Sequence, residues 1–190
     1  AAKWAVSTGS PTGQSVADRV RRGEEGLRAG DLAAIREEWD AAGRPVPERH
    51  VHRTAVKLAD GTSVTAVSFV AGDPYSRDPA PAYGLYLDDR WDPPWPHEHA
   101  AWPDFGVPRD PDQLRGSLQR LLARARAGDL VDLGCLGGHG RTGTALACLA
   151  VLTGTPADQA VGWVRTHYCP KAVETDAQAV FVEAFGRSRT

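Results

Sequence analysis

A short apolar run, Leu130-Val131-Asp132-Leu133, leads into the glycine-rich segment Gly134-Cys135-Leu136-Gly137-Gly138-His139-Gly140, and that segment leads into residues that are apolar on nearly every side. No other feature constrains the chain as much. A run this short reads as a buried strand over 130–133. Ala145, Leu146, Leu149, Val151 and Leu152 leave the following helix, expected over 141–153, without a polar face, so it must be central and covered. Two more helical patterns follow, over 156–167 and 175–185. Upstream, Asp110-Pro111 supplies a cap and a first-turn proline for a helix whose Leu114, Leu118, Leu121, Leu122 and Ala125 share one face, ended by Gly128-Asp129. Asp60-Gly61 sits between two strand-like runs and predicts a hairpin over Val51 to Val70. Tyr83 to Leu87 reads as another strand. Strands interspersed with helices, then followed by them, predict one α/β domain: a small, highly twisted central sheet flanked by helices.

The domain is expected to span 15–190, behind a flexible N-terminus over 1–14. Two short helices broken near Gly30-Asp31 fit the pattern between Ser15 and Trp39. Asp88 to Pro108 reads as a long connection holding Trp91, Trp95, Trp102 and five prolines; loops of this length in compact domains usually carry function. The length of 190 residues is enough for a real core, and a net charge of −2 excludes the basic footprint of a general nucleic-acid binder. No apolar run is long enough to span a membrane, and Ala1-Ala2-Lys3-Trp4 lacks the apolar region of a secretion signal. Three cysteines without C-x-x-C spacing fit neither a disulfide framework nor a zinc site, which suggests a reducing cytoplasm. Arginine outnumbers lysine 19 to 3, as in a GC-rich bacterial coding bias.

The turn before the central helix carries chemistry. Its glycines let the backbone approach a ligand closely, and N–H groups at a helix N-terminus form an anion nest. Arg141 adds a planar fork able to hold two phosphate oxygens. Cys135 opens the loop, where the same positive potential favours a thiolate. An anion cradle with its own nucleophile suits phosphoryl transfer through a cysteinyl-phosphate. Cys-x5-Arg alone is weak, since about 0.3 copies arise by chance in this composition; the buried strand before it, the glycines within it and the Thr142-Gly143 after it sharpen the signal. A nucleoside-triphosphate loop is excluded because its glycine spacing is wrong and arginine stands where lysine is needed. Cys148 and Cys169 read as buried core residues. His97 and His99 read as solvated loop residues with no third ligand nearby, so no metal and no other cofactor is expected.

This loop resembles that of the protein tyrosine phosphatase family, H-C-x-x-G-x-x-R-[ST]-G. Trp102-Pro103-Asp104-Phe105-Gly106-Val107-Pro108 is similar to the family's mobile acid loop, and Glu174-Thr175-Asp176-Ala177-Gln178 to its glutamine loop, in the expected order. The resemblance implies that Cys135 attacks phosphorus. Arg141 and the loop residues Leu136, Gly137, Gly138, His139 and Gly140 would bind the phosphoryl oxygens. Asp104 would protonate the leaving oxygen and later activate water, Thr142 would hydrogen-bond the sulfur, and Gln178 would position the water. Glu174 reads equally as a helix-start carboxylate or as a partner orienting Arg141. Gly134 stands where the family has histidine, which puts rate and pH optimum in question. His139 could add charge for a polyphosphorylated ligand, while Leu136 lacks a second basic group. The implied partner is a phosphorylated protein, with phosphotyrosine favoured by the complete acid loop and with no nucleic acid or membrane. Dual-specificity, phosphoinositide or small-molecule substrates stay open, as does a phospho-residue-binding protein without turnover. Tyr75, Tyr83 and Tyr86 are candidate aromatics for the pocket rim.

Overall fold

Asp60-Gly61 makes the first turn. Gly61 adopts φ +87°, its N–H bonds Leu58 O at 2.9 Å, and Thr62 N–H bonds Asp60 Oδ1 at 3.0 Å. The turn joins β1 (Arg53–Lys57) to β2 (Ser63–Ser68) in an antiparallel pair with Ala55 opposite Thr65. This is a computed structural model that describes residues 52–69 and 77–188. The chain divides into two compact units, Ala1–His50 with Arg90–Asp92 and Val51–Asp89 with Pro93–Thr190, and every element named here belongs to the second. The expected N-terminal segment, the helices between Ser15 and Trp39, and Tyr75 lie outside the described residues.

After β3 (Tyr83–Tyr86) and β4 (His97–His99) come α1 (Pro111–Arg126), β5 (Val131–Cys135), α2 (Gly140–Leu152), α3 (Ala157–His167) and α4 (Asp176–Arg187). The strand order is β1-β2-β5-β3-β4. β5 is central, parallel to β2 on one side and to β3 on the other, and all five of its residues are buried. Asp132 is tolerated there because Arg77 pairs with it, Nη2 lying 3.2 Å from Oδ1. Helix α1 starts where the sequence puts it: Asp110 Oδ1 accepts from Asp112 N and Gln113 N. It lays Leu114, Leu118, Leu121 and Leu122 on the sheet and against α2. Helix α2 is buried from Gly140 to Val151 and is covered by α3 and α4. The predicted α/β class holds: a mixed five-stranded sheet flanked by helices.

Four expectations need correction. The strand expected over 130–133 continues to Cys135, so the sulfur sits at the strand's end. The connection from Asp88 to Pro108 contains β4, which is parallel to β3 and held by Gly84 N–H to Pro96 O and Ala100 N–H to Tyr86 O, both 3.0 Å. His97 and His99 are therefore half-buried strand residues against Tyr86, with ring centroids 5.7 and 6.4 Å from it. Neither strand tyrosine forms a pocket rim. Tyr86 is fully buried and its hydroxyl accepts from Trp95 Nε1 at 2.6 Å. Tyr83 lies opposite Val131, at the end of the strands away from Cys135, with Arg124 over its ring.

Candidate active site

The C-terminal ends of parallel strands are where open α/β sheets bind ligands, and the glycine-rich turn leaves β5 at that edge. Gly134 pairs with Val67 on one side and Tyr86 on the other. A Cβ at Gly134 would lie 2.6 Å from both Val67 Cγ2 and Val67 O. A Cβ there would force β2 to shift, so this approach of Val67 to β5 depends on glycine at 134. Phe69 N–H then ties the loop to the end of β2 through Cys135 O and Leu136 O, at 3.2 and 3.1 Å.

The Cys135 sulfur is buried and accepts two hydrogen bonds, from Gly138 N at 3.3 Å and Thr142 Oγ1 at 3.1 Å. Gly138 can turn its N–H back to the sulfur because its φ is +75°. The Tyr168 hydroxyl holds the other side of that peptide, donating to Gly138 O at 2.5 Å. Burial, and after it the neighbouring Cys135 and Cys169, push the Tyr168 phenol far above its ordinary range, so it stays a proton donor.

Arg141, in the first turn of α2, is 4% exposed and fixed at three points. Nη1 donates to Leu87 O at 3.2 Å and Trp102 O at 3.1 Å, and Nη2 lies 3.2 Å from Asp88 Oδ2. Nε makes no hydrogen bond among the described residues, although Asp104 Oδ1 is 3.3 Å away. A buried, charged N–H without an acceptor is costly, and an oxyanion beside the sulfur would satisfy it. Glu174 accepts from Gly140 N–H on the same side. Its carboxyl is raised by burial and then by the charge of Asp104, against the opposing pull of that bond and of Arg141.

The segment from Trp102 to Pro108 folds against Arg141. Trp102 is buried and donates from Nε1 to Gly106 O at 3.1 Å, Gly106 N–H bonds Pro103 O at 3.0 Å, and Phe105 takes φ +60°. Thr175 Oγ1 donates to Phe105 O and Gln178 Nε2 to Gly106 O, each at 3.2 Å. Gln178 Oε1 accepts from Glu174 N at 2.8 Å, so both ends of this buried amide are engaged and it links α4 to the acid loop. Asp104 remains about half exposed at the lip. Leu136, Gly137, Gly138, His139 and Gly140 form the turn itself. His139 points away toward His52, Nε2 to Nε2 3.2 Å.

The structure thus brings Cys135, Arg141, Thr142, Asp104 and Gln178 into one site. It adds Asp88, Tyr168 and His52, which sequence reasoning missed. Asp88 left a signal, a carboxylate just past a strand that ends at the ligand-binding edge. Tyr168 and His52 left none, because their contacts span 30 and 87 residues.

Comparison with solved structures places the fold among the protein tyrosine and dual-specificity phosphatases. Tk-PTP in its active form superposes with a TM-score of 0.56 at 22% identity, over 70% of this chain and 97% of that one. Kinase associated phosphatase, with its catalytic cysteine changed to serine, gives 0.61 at 14% identity, over 74% and 98%. PTPMT1 in complex with PI(5)P gives 0.54 at 14% identity, over 65% and 90%. No family model matches the chain. Among curated proteins, the uncharacterized protein MJECL20 of Methanocaldococcus jannaschii is 38% identical over 88 residues, covering 45% of this chain and 56% of that protein. The uncharacterized protein MJ0215 of the same archaeon is 38% identical over 81 residues, covering 42% and 48%. The chain spans about half the length of the curated relatives it matches. These relatives are archaeal and lend no support to a bacterial source. Among the described residues no helix is long and apolar enough to cross a membrane.

Proposed function

We propose that the chain hydrolyses phosphomonoesters through a phosphocysteine at Cys135, with phosphotyrosine in protein as the favoured substrate. The observation that carries this reading is the hydrogen bonding of the turn between β5 and α2. A sulfur bonded by Thr142 Oγ1 and Gly138 N–H opens a glycine-rich turn that ends at Arg141, a buried guanidinium whose Nε–H lacks a hydrogen-bond acceptor. In the first step the Cys135 thiolate forms a P–S bond as the P–O bond to the leaving group breaks, and Asp104 gives its proton to the departing oxygen. Arg141 and the N–H groups of the turn take up charge on the phosphoryl oxygens. In the second step water forms a P–O bond and loses its proton to Asp104. The P–S bond breaks and its electron pair returns to sulfur, where the Thr142 hydroxyl stabilises it. Gln178 serves this cycle by holding the segment from Trp102 to Pro108 in place.

Phe105, 59% exposed beside Asp104, is the aromatic at the lip able to pack on a substrate ring. A dual-specificity preference is the second reading, favoured because Tyr83 lies at the far end of the strands and Tyr86 is fully buried. Turnover of an aryl phosphate, blocked by vanadate, tests the activity, and rates on phosphotyrosine and phosphoserine peptides separate the two readings. C135S abolishes turnover, and D104A lowers it by about 10²–10⁴ while substrate still binds. Turnover by C135S at the parent rate contradicts the assignment.

A further inference from the structure

We propose that the chain binds a zinc-class divalent cation at His52, His139 and Cys169, on the flank of the glycine-rich turn to which His139 points. The two imidazole Nε2 atoms are 3.2 Å apart, and the Cys169 sulfur joins them in a group whose ligand atoms all lie within 4.8 Å of one another. Tetrahedral zinc, with bonds of about 2.0–2.1 Å to nitrogen and 2.3 Å to sulfur, sets two nitrogens about 3.4 Å apart and nitrogen and sulfur about 3.6 Å apart. The imidazoles already have the spacing of a shared metal, and the sulfur needs to close by no more than about 1.2 Å.

Each ligand comes from a fixed piece of backbone. His52 is clamped to the end of β2, its O accepting from Ser68 N at 2.9 Å and its N–H meeting Ser68 Oγ at 3.2 Å. His139 is the residue before α2. Cys169 follows α3, where its N–H bonds Val164 O at 3.2 Å. Lys171 N–H bonds the Cys169 sulfur at 3.4 Å, an interaction that stabilises a ligating thiolate. His52 and Cys169 are buried and His139 is half-buried, so the ion has a low-dielectric seat that remains reachable. Two imidazoles and a thiolate select borderline ions such as Zn2+ and Co2+ over Mg2+ and Ca2+. Binding takes both Nε2 atoms as neutral ligands and releases the Cys169 proton; water fills the fourth position. Because His139 belongs to the glycine-rich turn, the metal cross-links that turn to the start of β1 and the end of α3.

The alternative is an imidazole–imidazole hydrogen bond that needs no metal; the rings meet edge to face with centroids 4.8 Å apart. Titration of the chelator-treated chain with Co2+ and with Zn2+ decides between them. The site predicts one metal per chain, a thiolate-to-cobalt charge-transfer band, and a Tm that rises with Zn2+ and not with Mg2+. C135S keeps the band, C169S loses it, and H52Q loses the Zn2+-dependent rise in Tm, which keeps the test open should C169S fold poorly. A band lost in C135S and kept in C169S places the metal on the catalytic sulfur and overturns the proposal, as does no binding at all. The phosphatase reading fails separately, through absence of aryl phosphate turnover in chelator by the parent.

Discussion

Two carboxylates touch the same guanidinium in different surroundings, and the difference predicts how each behaves when removed. Asp88 Oδ2 lies 3.2 Å from Arg141 Nη2 with side chains 2% and 4% exposed, whereas Asp104, 3.3 Å from Nε, is 52% exposed. Asp88→Asn keeps the shape and deletes the charge, leaving a buried cation without its buried counter-ion. Breaking such a pair costs about 3–5 kcal/mol. An asparagine oxygen can still accept one hydrogen bond, so a loss near 3 kcal/mol is expected. Asp104→Asn removes a half-solvated pair worth about 0–1 kcal/mol. Urea unfolding of both variants, followed by tryptophan fluorescence, reads these directly, because a domain stable by about 5–15 kcal/mol shows a loss of 3 as a large drop in midpoint. Saturating vanadate should stabilise Asp88→Asn more than the parent, since an oxyanion beside Arg141 supplies the missing negative charge. Equal, small losses for the two variants, or equal vanadate shifts for parent and Asp88→Asn, would refute the claim that burial ranks these pairs.

Gly134→Ala is expected to cost about 1–3 kcal/mol, the usual range for overpacking, because the new Cβ meets the Val67 carbonyl, which cannot rotate away; an unchanged Tm contradicts this. Glu174→Gln tests the raised Glu174 carboxyl. A carboxyl raised on folding contributes its full stability below about pH 4, where it is protonated in both states, and loses that contribution as pH rises through the folded value. The variant and parent should therefore melt together in acid, with the variant melting higher as pH approaches neutrality; a gap that opens toward acid contradicts the assignment.

What was legible in the sequence is what short-range chemistry writes. Asp110-Pro111 marked a cap that the structure shows as two N–H bonds to one carboxylate oxygen, and Asp60-Gly61 marked a turn needing positive φ. The glycine-rich turn between a buried strand and an apolar helix pointed to the candidate site, because each of those patterns is local. Strand β4 was illegible because His97-Glu98-His99 has no apolar alternation; its place comes from main-chain bonds to β3. Asp88, Tyr168 and His52 reach the site from distant segments and carry no periodic mark. Gln178 was singled out to position water, but its engagement at both ends of the amide depends on where α4 meets the segment from Trp102 to Pro108, which spacing within one motif cannot show.

Cys135 is expected to become phosphorylated on sulfur during turnover. Rapid acid quench of the enzyme with an aryl phosphate, followed by peptide mass analysis, should find one phosphoryl group on the peptide carrying Cys135, accumulating further in Asp104→Ala if loss of the base slows hydrolysis more than formation. Undiminished turnover with that peptide unmodified, or a phosphoryl group on any other residue, would contradict it.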